Sequence, residues 1–146
     1  MNKNLFLLAL ALTLSCSANQ GPLKHPMDKS ESKTIKLENG LKVYLLSDPD
    51  FNVCAASMSV EVGSYQDPDN RQGMAHFLEH MLFLGTEKYP DVDEYSTYLK
   101  TFGGYSNAYT AGDHTNYQLQ VLPDGFEGSL DRFAQFFISP LFTEEY

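Results

Sequence analysis

Met74-Ala75-His76-Phe77-Leu78-Glu79-His80-Met81-Leu82-Phe83-Leu84 is an apolar run broken by two histidines and one glutamate. Its length and composition predict a buried helix, with Gly85 as its stop. Residues at i and i+4 share a helical face with their Cβ atoms roughly 5–6 Å apart, so the imidazoles of His76 and His80 can reach one metal ion. Glu79, at i+3 from His76, lies on the same face, where it can touch a metal-bound water without being a ligand. Burying these three side chains without a strong partner would be costly, and a metal removes that cost. Zinc suits the set, because it favours nitrogen donors and its catalytic sites use three protein groups and leave the fourth position to water.

Secondary structure reads outward from this helix in both directions. Before it, Asp67-Pro68-Asp69-Asn70 forms a turn and offers an N-cap. Residues 52–63 form a strand rich in Val, Ala, Ser and Met, and residues 34–37 and 41–47 form two strands joined at Asn39-Gly40, a hairpin signal. After it, Asp91 with Glu94 three residues on makes a capping-box-like start for a helix over 92–102. The apolar stripe of that helix is Tyr95, Tyr98, Leu99 and Phe102, and Gly103-Gly104 ends it. Strands follow over 105–111 and 115–122, the second alternating Tyr117, Leu119 and Val121 with Asn116, Gln118 and Gln120. A last helix over 126–138 gathers Phe126, Leu130, Phe133 and Phe137 on one side and stops at Ser139-Pro140. This order predicts an α+β fold: a mostly antiparallel sheet with helices packed on one face.

The first eighteen residues have the layout of a secretory signal: Lys3, an apolar stretch from Leu5 to Leu14, then small residues. Two processing routes fit. Leu12-Thr13-Leu14-Ser15-Cys16 resembles a lipobox with Thr13 out of pattern, which would make Cys16 a lipidated amino terminus and a membrane anchor; Cys16-Ser17-Ala18 also suits cleavage before Asn19. Either route implies export, to the periplasm or to the membrane as a bacterial lipoprotein. Residues 19–33 are polar and read as a flexible tether. With Cys16 removed or modified, Cys54 stands alone in an apolar strand, a buried inert thiol. The formal charge of −9 and the lack of a basic patch argue against a nucleic-acid partner. His25 in the tether, His114 at a turn and Glu61 at a strand end read as residues without a metal role.

H-x-x-E-H is the inverted zincin motif, and its surroundings carry more than the motif. The stretch from Gly73 to Thr86, then Lys88-Tyr89-Pro90, Glu94-Tyr95, Gly103-Gly104, Asn107-Ala108-Tyr109-Thr110 and His114-Thr115-Asn116-Tyr117 resembles the pitrilysin/insulinase family of zinc endopeptidases. The resemblance implies that residues 34–146 are part of an amino-terminal catalytic domain with a pitrilysin-like fold. It implies one Zn²⁺ per site held by His76, His80 and a glutamate on a later helix beyond Tyr146, Thr143-Glu144-Glu145 resembling the cap and first turn of that helix. It implies Glu79 as general base, peptides or small unfolded polypeptides as substrates, and further domains of the same chain enclosing a chamber. Strand 105–111 would bind extended substrate by strand addition through Asn107, Ala108 and Tyr109, the alternative being an ordinary edge strand with core-packed aromatics. The 146 residues then read as an amino-terminal fragment, inactive alone. Two other functions stay open: a non-catalytic docking subunit of the same family, which typically lacks one of the three motif residues, and a relative of S-ribosylhomocysteine lyase, which needs a cysteine beyond the motif, whereas none follows His80.

Overall fold

A computed structural model describes residues 24–143. The secretory layout of residues 1–18, Cys16 and residues 144–146 lie outside the described residues. The chain divides into two units, one ending at Ser47 and one beginning at Asp48.

The first unit contains an antiparallel ribbon of β1 (Glu31–Lys36) and β2 (Lys42–Ser47), with Glu31 opposite Ser47 and Lys36 opposite Lys42. Strand β1 thus begins inside the segment expected to be tether. The turn uses three residues, Glu38, Asn39 and Gly40. Leu37 N–H donates to Leu41 O, Asn39 Oδ1 accepts from Leu41 N–H at 3.1 Å, and Gly40 sits at φ 92°. A three-residue loop needs a residue in the left-handed region at its end, which glycine supplies.

The second unit is an α+β layer. Strands β3 (Cys54–Val60), β4 (Tyr105–Thr110) and β5 (Thr115–Val121) form an antiparallel sheet in the order β3-β5-β4. Helices α1 (Met74–Met81), α2 (Glu94–Thr101) and α3 (Pro123–Ile138) complete it, with α1 and α2 against β4 and α3 against β3 and β5. The expected α+β class and antiparallel pairing hold. Central β5 buries Thr115, Tyr117, Leu119 and Val121 and turns Asn116, Gln118 and Gln120 the other way, the period-two pattern its sequence carries.

The core is Leu82 from the end of α1, Tyr95 and Leu99 from α2, the apolar face of β5, and Phe133 and Phe136 from α3. Phe83 and Tyr95 both meet Phe136 edge-on, with centroids 5.1 and 4.9 Å apart. In α3 the buried side chains are Ser129, Phe133 and Phe136, while Leu130, expected on the apolar stripe, is exposed. The helix begins at Pro123, ahead of the expected start, so its inward face is set by Gly125 and Ser129, small residues that no hydrophobic stripe reveals. A Cβ at Gly125 would strike the Phe102 ring and one at Gly128 the Tyr98 hydroxyl, so both glycines let α2 approach closely. Arg132 spans the same junction. Its guanidinium donates to both carboxylate oxygens of Glu94 and to Gly128 O, and lies 3.7 Å from the Tyr98 ring centroid and 4.3 Å from that of Tyr89.

Candidate metal centre

Helix α1 is held at its start by a residue of the preceding turn. Asp67 Oδ2 accepts from Gly73 N–H at 2.7 Å and Oδ1 from Ala75 N–H at 2.8 Å. A carboxylate here satisfies orphan amides and meets the positive end of the helix dipole. The turn at 67–70 therefore does cap the motif helix, through Asp67. The helix is not buried all round. Glu79 and Met81 are its buried residues, while Phe77 is 63% exposed and Met74 and Leu78 are also exposed.

His76 and His80 lie on the open side of α1 with their Nε2 atoms 3.1 Å apart and ring centroids 4.7 Å apart. Two imidazole nitrogens bound to one tetrahedral zinc at roughly 2.0–2.1 Å lie about 3.3 Å apart. The observed spacing matches such a pair, so the residues present fit zinc. Among the described residues, no group of three or more His, Cys, Asp or Glu is placed to hold a metal. His114 in particular is engaged elsewhere. Its Nδ1 is 2.7 Å from Asp113 Oδ1 and its Nε2 is 3.3 Å from the Tyr109 hydroxyl. In neutral His114 this is Nδ1–H donating to the carboxylate and Nε2 accepting from the phenol. That hydrogen bond holds the Asp113 carboxyl below the usual carboxylate range.

Glu79 points inward and is 7% exposed. Its Oε2 accepts from the Thr110 hydroxyl at 2.6 Å, a length typical of a charge-assisted O–H···O⁻ bond. Tyr117 lies nearby on β5, its phenol pushed up to about 12 by burial, with the Glu79 charge adding to the shift. Glu79 is thus joined to β4, and the sequence motif contains no hint of Thr110's part. The signal that could have found it is Thr110 itself, closing the stretch Asn107-Ala108-Tyr109-Thr110.

Strand β4 is an edge of its sheet. Ala111 N–H donates to His114 O, and pairs alternate along an antiparallel ladder. Tyr109, Asn107 and Tyr105 therefore bond to β5, while the main-chain groups of Ser106, Ala108 and Thr110 point to the open edge. Side chains follow the other alternation. Asn107 and Tyr109 are exposed on the outer face, and Ala108 packs against the core. The structure brings His76 to His80 and Glu79 to Thr110 at the end of β4; Glu79 is buried while both histidines are exposed, so it does not share their open side as its i+3 spacing predicts. Cys54 is half-buried in β3 rather than enclosed, because it faces the helices near the sheet's outer border, opposite Val121.

Residues 42–146 match the family profile described as Insulinase (Peptidase family M16). Insulin-degrading enzyme-like 1, peroxisomal, of Arabidopsis thaliana is 55% identical over 123 residues, which is 84% of this chain and 13% of that protein. The insulin-degrading enzyme of Homo sapiens is 53% identical over 121 residues, 83% of this chain and 12% of that protein. The crystal structure of pitrilysin superposes with a TM-score of 0.80 at 40% identity, covering 85% of this chain and 13% of that one. The chain spans 12–13% of the length of these relatives. By sequence and by fold, it belongs to the insulinase family, peptidase family M16.

Proposed function

We propose that this chain supplies the metal-binding helix and the substrate-binding edge of a zinc endopeptidase. The observation that carries the reading is the convergence of the His76 and His80 Nε2 atoms at 3.1 Å on the helix that also holds Glu79. Zinc, when bound, supplies Lewis acidity that polarises the scissile carbonyl and makes water a nucleophile at neutral pH. His76 and His80 would hold it, with a third donor, a glutamate, from outside the described residues. Glu79 accepts the proton of the attacking water as general base and delivers it to the amine nitrogen as the C–N bond breaks. An extended peptide pairs with β4 through the main chain of Ala108, with Asn107 and Tyr109 flanking it on the outer face. The relatives named as insulin-degrading enzymes support a polypeptide substrate.

Metal analysis and peptide hydrolysis by the full-length protein test this. About one zinc per chain is expected, and His76→Ala or His80→Ala abolishes it, because two remaining ligands rarely hold a catalytic zinc. Glu79→Gln keeps zinc and lowers hydrolysis by roughly 10²–10⁴-fold. Zinc binding unchanged in both histidine variants overturns the site. The 146-residue chain alone should bind zinc weakly and hydrolyse nothing; chelator-sensitive cleavage by it would mean that a residue within it, His114 first, supplies the third donor. For residues 1–18 the proposal is export with an anchor at Cys16. Cys16→Ser should then move the protein from membrane to soluble fraction, since acyl chains supply most of such affinity.

A further inference from the structure

We infer that Thr110 is a positioning residue for Glu79, a role that rests on the peptidase reading above and adds to it. A carboxylate acting as a base has two equivalent oxygens and a rotatable terminal torsion, so something must choose which oxygen faces the reacting water. In this molecule the Thr110 hydroxyl occupies Oε2 at 2.6 Å. That leaves Oε1 as the oxygen free to take a proton. Among the described residues, the ion pairs do not include Glu79, so its orientation is set by this hydroxyl and by its burial.

The donor is itself fixed. Thr110 stands opposite Thr115 across the β4–β5 ladder. Thr115, 4% exposed, gives its single hydroxyl proton to Val62 O at 2.8 Å, and its oxygen lies 3.5 Å from that of Thr110. With Thr115 committed to Val62, the Thr110 proton goes to Glu79. Branching at Cβ further restricts the Thr110 rotamer. The hairpin end is also braced: Ser64 N–H donates to Ala111 O at 2.9 Å and Tyr65 N–H to Gly112 O at 2.8 Å. A base carried on a helix is thus aligned from a sheet edge. The same threonine turns its main chain to the open edge of β4, so a peptide paired along that edge steadies the residue that aims the base.

The test uses the full-length, zinc-loaded protein with Thr110→Val, Thr110→Ala and Thr110→Ser, each also combined with Glu79→Gln. Zinc content, thermal midpoint, kcat and KM are measured on one quenched fluorescent peptide. Thr110→Val and Thr110→Ala should retain zinc and keep KM within about twofold while kcat falls at least about tenfold, in line with the sensitivity of catalysis to small misplacements. Thr110→Ser should restore kcat to within about threefold of wild type, because it keeps the donor. In the Glu79→Gln background, Thr110→Val should alter the residual rate less than about twofold, since the coupled partner is gone. If Thr110→Val does not fold, the contrast between Ala and Ser decides. A kcat unchanged in Val and Ala, an equal loss with and without Glu79, or loss of zinc overturns the positioning role and leaves the peptidase reading standing. Wild-type hydrolysis by Glu79→Gln overturns both.

Discussion

A buried hydroxyl without a partner is the clearest thermodynamic irregularity among the side chains. The Ser129 hydroxyl, on the inward face of α3, is fully buried with no hydrogen-bond partner among the described residues. An unsatisfied buried donor carries its full desolvation penalty, so Ser129→Ala should raise stability by about 1 kcal/mol, read as a higher urea midpoint at unchanged slope. Residue placement was legible in the sequence where local spacing determines geometry. The approach of His76 to His80 needed only the helical repeat, and the cap on α1 needed only a turn before a helix; the burial of Glu79 did not follow from the repeat. Thr110 was not legible as a partner of Glu79, because 31 residues separate them and the α1–β4 packing brings them together. The ring of His114, solvated or a cap at a turn by sequence, is taken up by Asp113 and Tyr109 for a similar reason: the hairpin folds Tyr109 back beside it.

At the scale of elements, α2 and α3 are seated through two glycines and one arginine. Gly128→Ala places a methyl against the Tyr98 hydroxyl. Overpacking of this kind costs roughly 1–3 kcal/mol, offset in part by the better helix propensity of alanine. The variant should be destabilised, and adding Tyr98→Phe should recover part of the loss; additive effects would show that the two positions do not meet. Strand β4 makes a second prediction. Ala108 directs its N–H to the open edge, so Ala108→Pro removes no ladder bond, and edge strands accept proline. On the proposed reading it should raise KM for peptides with zinc retained; an unchanged KM would remove the edge as the substrate platform. Element order and type were readable because hydrophobic period and turn residues are local. The hydrophobic stripe puts Leu130 on the inward face of α3, whereas Gly125 and Ser129 lie there, since glycine and serine at a packing face carry no hydrophobic signal. That β1 and β2 pair with each other and β3, β4 and β5 form a second sheet among the described residues is also not readable locally, because which strands pair depends on long-range contacts.

At the scale of the whole molecule, alkaline stability should reveal the core. Burial pushes Tyr95 and Tyr117 up to about 12, against about 10 in an unfolded chain. Their contribution is fully present below pH 10, where both states keep the phenols neutral. It is lost as pH rises from 10 to 12, because the unfolded chain ionises first, by up to about 1.4 kcal/mol per pH unit for each phenol. Denaturant unfolding followed between pH 9.5 and 12 should show this decline, and Tyr95→Phe should roughly halve it. A flat profile would mean that neither ring is buried in solution. The open strand has a consequence of another kind. Tyr105-Ser106-Asn107-Ala108-Tyr109-Thr110 carries neither a charge nor a proline, the two common devices that keep sheet borders from sticking to one another. A border that accepts a visiting peptide without chemical discrimination accepts a neighbouring molecule's border on the same terms. On the proposed reading, association in concentrated solution should run through these same six residues, and a tightly held peptide should act as a preservative.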